Sequence, residues 1–176
     1  EDVGEVGVHG IAIRPGHPLI LGTISKKIII GLPGYPVSCV LTSELVIKPL
    51  IEAFQGIVTE ERHTLNATLT RKLLSPIGDD EYVRVMLGQV GEKLVATPLQ
   101  RGAGVITSLT RADGITVIPR FSDGLDAGST IKVDLLRPAR AITNSIIAVG
   151  SHAMTLDLMA SRIQINHPNR TLSSST

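Results

Sequence analysis

The apolar period of this chain changes partway along it. Val37, Val40, Leu41 and Leu45 recur at helical spacing, whereas Leu65, Ala67 and Leu69 alternate with Thr64, Asn66, Thr68 and Thr70. A period near 3.6 buries one side of a helix and a period of 2 buries one face of a strand, so the two stretches belong to different packing arrangements. The 176 residues are enough for more than one small core. The fold class expected is α/β plus β, in three regions: 1–60, 61–137 and 138–176. A hinge near 55–62 and a short basic, proline-containing linker at 137–140 separate them.

In the first region, 8–13 and 19–21 read as strands. Between them stand Arg14, Pro15, Gly16, His17 and Pro18, whose two prolines and glycine forbid a continuous ladder. Lys27 to Ile30 is a continuous apolar run, as expected of a strand buried on both faces of an α/β sheet. Pro36 falls where a first helical turn accepts proline, and Pro49 should kink or end that helix, leaving Leu50, Ile51 and Phe54 to pack beyond it.

The second region carries further alternation at Val83, Val85 and Leu87, with strands expected at 93–97, 115–118 and 130–135 and a short helix at 105–112. Evenly spaced short strands define a small β-barrel or sandwich. With two Phe, two Tyr and no Trp, the core must be built from Val, Ile and Leu, and stacking on bases or sugars is not expected. In the third region 145–149 reads as a strand, Gly150-Ser151-His152 as a turn and 155–163 as a helix with Leu156, Met159, Ala160 and Ile163 on one face. The tail 171–176 offers no closing element, so the chain reads as a piece of something longer.

A net charge of +1, from 17 basic and 16 acidic residues without a basic cluster, gives no footprint for nucleic acid. The single Cys39 excludes an internal disulfide framework and reads as a small core residue; a reducing cytoplasm is the economical expectation. No apolar run approaches the ~18 residues of a membrane span.

The segment richest in chemistry is Gly31-Leu32-Pro33-Gly34-Tyr35-Pro36-Val37-Ser38, between an aliphatic run and a helix. Such a turn bares backbone N–H groups at a helix start, where phosphates and other oxyanions are favoured. Taken alone it is equally an ordinary tight connection. Arg14 offers a fork for an oxyanion. His9 reads as a sheet histidine, Arg84, Arg101, Arg111 and Arg120 as barrel-surface or packing arginines, and Asp79-Asp80-Glu81 as a solvated turn.

Three ordered segments resemble the molybdopterin molybdotransferases, the MoeA family that includes the C-terminal region of gephyrin. They are Val8-His9-Gly10-Ile11-Ala12-Ile13-Arg14-Pro15-Gly16-His17-Pro18, the 31–38 turn, and Arg101-Gly102-Ala103-Gly104-Val105-Ile106-Thr107-Ser108-Leu109 followed by Ala112-Asp113-Gly114-Ile115 and Ile118-Pro119. The resemblance covers about three quarters of the chain. It implies the end of a three-layer α/β molybdopterin-binding domain followed by a C-terminal β-barrel domain. It further implies insertion of molybdate into adenylylated molybdopterin with Mg²⁺, AMP release, and a homodimer.

Carried onto this sequence, the resemblance implies that Arg14, Gly16, His17, Pro18, Pro33, Gly34, Tyr35, Pro36, Val37 and Ser38 contact the cofactor. Tyr35 stands where the family usually has Asn, His17 where it has Lys, and Ala103 where Ser is common. The family's acidic residues for metal and phosphate chemistry lie upstream of this stretch, so catalysis by these residues alone is not expected. The third region resembles the start of a periplasmic-binding-protein-like domain, through Gly150-Ser151-His152 and Thr155-Leu156-Asp157-Leu158, with Ser151 facing an oxyanion. Alternative functions are an oxyanion-sensing binding module and a non-catalytic assembly scaffold.

Overall fold

Strand β1 (Gly4–His9) opens the chain of a computed structural model that describes residues 3–58, 62–102, 106–143, 145–149, 154–166 and 171–175. The expected strand at 8–13 is broken at Gly10, whose φ of +87° turns the chain away, and its far end is a separate two-residue strand, β2 (Ile13–Arg14). Strands β3 (Ile20–Ile24) and β4 (Lys27–Gly31) form a hairpin through Ser25 and Lys26, both at positive φ as a tight hairpin turn requires. The order β1-β3-β4 is a small antiparallel sheet. The continuous apolar run of β4 is therefore not a strand covered on both faces: Ile28 is 47% and Ile29 46% exposed. An apolar run reports the hydrophobicity of a strand, not which chain segment covers it.

The helix after the 31–38 turn passes through Pro49 rather than ending there. It comprises α1 (Pro36–Thr42), a π-helical turn at Ser43–Ile47 and α2 (Lys48–Gln55). The wider turn just before Pro49 accommodates a ring that lacks an N–H and would clash in a regular helix. Gly56, at φ +68°, caps the end by donating to Ala53 O at 3.2 Å, while the Ile57 N–H donates to Glu52 O at 2.9 Å. Ile51 and Phe54, expected to pack, are exposed.

The second region is a closed barrel. Its strands are β5 (Thr64–Leu69), β7 (Asp80–Val90), β8 (Lys93–Pro98), β9 (Gly114–Ile118) and β11 (Thr130–Leu135), and the ring runs β7-β8-β5-β11-β9 and back to β7. Two short strands, β6 (Leu73–Leu74) and β10 (Gly124–Leu125), clip together beside it. Val83, Val85 and Leu87 face the core with Leu69, Ile131 and Val133, which is what the alternation specifies. The opposite face of β7 is buried too, contrary to a half-buried strand, because Met86 packs with Leu99 and Ala112 beside α3 (Thr107–Arg111). That helix is shorter than the expected 105–112, and 103–105 lie outside the described residues.

Strand β2 does not stay with its own region. It pairs in parallel with β7, Ile13 opposite Asp80 and Arg14 opposite Glu81, so the first region contributes a strand to the barrel's sheet.

After the barrel, the expected linker is partly helical: α4 (Ala139–Thr143) places Ile142, 1% exposed, in the barrel core. Strand β12 (Ser145–Val149), helix α5 (Met154–Asn166) and strand β13 (Thr171–Ser175) complete a βαβ unit with parallel strands. The tail is thus a strand, which a sequence with Leu172 as its one apolar residue concealed. Met159, placed on an apolar face of the helix, is 58% exposed. The Gly150-Ser151-His152 turn lies outside the described residues.

Candidate functional site

Gly16 brings two loops together. At φ +127° it tolerates no ordinary side chain, and a Cβ there would stand 2.8 Å from Thr42 Cγ2 and 3.0 Å from Ile13 Cδ1. Thr42 is fully buried and its hydroxyl donates to Ser38 O at 2.8 Å, so the 14–18 loop presses directly on α1.

The result is a cleft of about 540 Å³. Arg14, Gly16, His17 and Pro18 line one side, Pro33, Gly34, Tyr35 and Ser38 another, and Glu81, Tyr82, Arg84, Arg101 and Gly102 of the barrel a third. Of the sequence-selected residues, Pro36 and Val37 do not line it. Pro36 occupies the first helical turn, and the Val37 side chain is fully buried beside a second groove between α1 and the barrel.

The helix start is poised for an acceptor. Tyr35 is extended, at φ −76° and ψ 134°, and no side chain caps the first turn. The first backbone bond runs from Cys39 N to Tyr35 O at 2.9 Å, leaving the N–H groups of Val37 and Ser38 before it in the chain. At Gly34 a Cβ would meet nothing within 4 Å, so that position opens onto space rather than onto protein.

Asp79-Asp80-Glu81 is not a solvated turn but the entry to β7, with each carboxylate held by an arginine. Asp79 meets Arg14 Nη2 at 3.1 Å and His17 Nδ1 at 3.4 Å, Asp80 meets Arg120 Nη2 at 2.7 Å, and Glu81 meets Arg101 Nη1 at 3.0 Å. Arg120 also donates its backbone N–H to Asp80 at 2.8 Å, and these hydrogen bonds hold the Asp80 carboxyl below its ordinary range and raise Arg120. Burial pushes the Tyr82 hydroxyl up. Among the described residues no three His, Cys, Asp or Glu side chains come together, and these three acids are individually paired, so the residues present do not fit Mg²⁺.

Sequence reasoning passed over Arg84 and Arg101. Arg84 is 8% exposed, burial pushes its guanidinium down from the ordinary value, and its Nε has no hydrogen-bond partner. The available signal was a charge between Val83 and Val85, inside an apolar strand.

Closed barrel and shared cleft together define a recognisable class. Residues 66–136 match the family described as MoeA C-terminal region (domain IV). The chain contains the MoeA C-terminal domain IV over these residues. It is 35% identical over 136 residues to a putative molybdopterin biosynthesis protein of Methanocaldococcus jannaschii, covering 77% of this chain and 31% of that protein. It is 30% identical over 131 residues to the molybdopterin molybdenumtransferase of Bacillus subtilis, covering 72% and 30%. Among solved structures, the molybdopterin biosynthesis MoeA protein from Pyrococcus horikosii matches with 36% identity and a TM-score of 0.62 over 78% of this chain and 33% of that one. A molybdenum cofactor biosynthesis protein from Pyrococcus furiosus matches with 28% identity and the same TM-score of 0.62, over 75% and 46%. The chain spans about a third of the length of these curated relatives. No helix of the described residues is long and apolar enough to cross a membrane.

Proposed function

We propose that this chain supplies one wall of the substrate cleft of a molybdopterin molybdotransferase, acting in molybdenum cofactor biosynthesis. One observation carries the reading: the 14–18 loop and Pro33, Gly34, Tyr35 and Ser38 of the turn, selected from the sequence, line a single cleft with two barrel arginines. Molybdopterin, in adenylylated form, places a phosphate near Gly34, where Ser38 at the helix start donates and Arg14 supplies charge. Ser38 and Tyr35 bound the space and orient the ligand. Molybdate as second substrate, a homodimer and a cytoplasmic location belong to the same reading, on the strength of the relatives. No step is assigned to Mg²⁺.

Gly34→Val tests it. The added Cβ meets no protein atom within 4 Å and the branched side chain fills the approach to the helix start, so molybdopterin affinity should fall about tenfold or more, ~1.4 kcal/mol, with one charge-assisted hydrogen bond lost. Calorimetric titration of both proteins, each checked for folding by circular dichroism, measures this. Equal affinities would reduce the turn to a connection.

A further inference from the structure

Four arginines border the cleft and the start of β7, and they are held differently. Arg120 spends Nε, Nη2 and its backbone N–H on Asp80, and Arg14 spends Nη2 on Asp79 at the rim. Arg84 is almost wholly buried. Arg101 is fixed at one nitrogen only: Nη1 donates to Leu74 O at 2.6 Å and to Glu81 Oε1 at 3.0 Å. Among the described residues nothing pairs with its Nε or Nη2, its side chain is 40% exposed, and it lines the cleft with Gly102.

A guanidinium is a rigid plane of five donors, so two acceptors on one nitrogen orient the others as well. Glu81 is suited to that task. Its side chain is 9% exposed and Oε2 has no partner, so among the described residues Arg101 is the one cation paired with it.

We propose that Arg101 is an oxyanion-binding residue of this cleft, positioned by Glu81 and the Leu74 carbonyl, with its free edge directed at a phosphate or a tetrahedral oxometalate. This rests on the cleft reading above and adds a fixed cation on the barrel side, facing the loop that carries Arg14. Arg101 departs in kind from the other arginines, because a preoriented fork with unspent donors loses little freedom on meeting an oxyanion.

Calorimetric titration of the 176-residue chain with pyrophosphate in one arm and molybdate in another reads the contact and separates the two sources. Arg101→Gln should weaken the preferred anion about tenfold or more, and Arg101→Lys should recover only part, since it keeps the charge but not the fork. Glu81→Asp keeps the negative charge but cannot reach Nη1. It should weaken binding when Arg101 is present and have no further effect on Arg101→Gln, a coupling that a purely structural role for Glu81 would not produce. Thermal melts confirm that each variant folds. Unchanged affinity of Arg101→Gln in both arms overturns the proposal, as does the absence of binding to the unaltered protein. If Gly34→Val weakens molybdopterin while Arg101→Gln binds normally, only this inference fails. If Arg101→Gln loses the anion while Gly34→Val binds molybdopterin normally, the helix-start reading fails and this one stands.

Discussion

Asp113 Oδ2 accepts a hydrogen bond from the Leu87 backbone N–H at 2.9 Å, inside the barrel wall. The same residue donates its own N–H to Val85 O at 3.0 Å and accepts from Leu136 N–H at 2.9 Å, so one aspartate ties β9 to β7 and to the chain beyond β11. Asp113→Ala strands a buried N–H. It should lower stability by about 1–3 kcal/mol, measured as a shift of the denaturant midpoint at constant slope.

Gly114 follows for a different reason. An added Cβ would collide with Val133 Cγ1 and stand 2.8 Å from Asp134 O, atoms of the neighbouring strand that cannot retreat without opening the barrel. Gly114→Ala should therefore cost on the order of 1–3 kcal/mol by overpacking, and thermal denaturation would show it. Unchanged stability would mean that β9 and β11 are less closely apposed.

At Gly16 the expected loss has two components. Gly16→Ala meets Thr42 and Ile13 in a left-handed conformation, so it should destabilise the fold and also push the 14–18 loop off α1. Anion affinity should fall with stability, whereas Gly34→Val should lower affinity alone. A titration and a melt on each variant separate the two cases.

The Asp80–Arg120 pair makes stability depend on acid pH. Its hydrogen bonds to Arg120 lower the folded-state pKa of Asp80 below the 3.8 of the free side chain, so the stabilisation is present above that value and disappears as pH falls through the lower folded value. Asp80→Asn should flatten the acid limb of a stability-versus-pH curve and leave its shape near neutrality unchanged. An acid limb of the same slope in both proteins would show that other carboxylates set it. The pair is partly solvated, so its effect should shrink in high salt.

The barrel was legible because alternation is a local signal. Leu65, Ala67 and Leu69 on one strand and Val83, Val85 and Leu87 on another name their core face without reference to anything distant. The two proline and glycine loops were legible as places where strands stop. What could not be read was decided by partners far along the chain. Nothing near Ile13 indicates that it pairs opposite Asp80, and nothing near Asp79 indicates that Arg14 and His17 will meet it. Arg84 and Arg101 resemble surface arginines in sequence because their distinction lies in burial and in which donors remain unspent. Thr171–Ser175 was illegible as a strand since Leu172 is its one apolar residue and shows no alternation, and its pairing to β12 depends on the intervening helix returning the chain.

The pairing of β2 with β7 also sets an order of events. Arg14 and Asp79 lie 65 positions apart, and the loop carrying Arg14 has its shape only where the entry to β7 already exists to receive it. Contacts of such separation wait on closure of the long intervening loop, so the hairpins and the barrel's local pairs should form before the cleft does. The pocket then belongs to neither region, and a piece cut at the expected hinge would hold the 14–18 and 33–38 loops without holding the site.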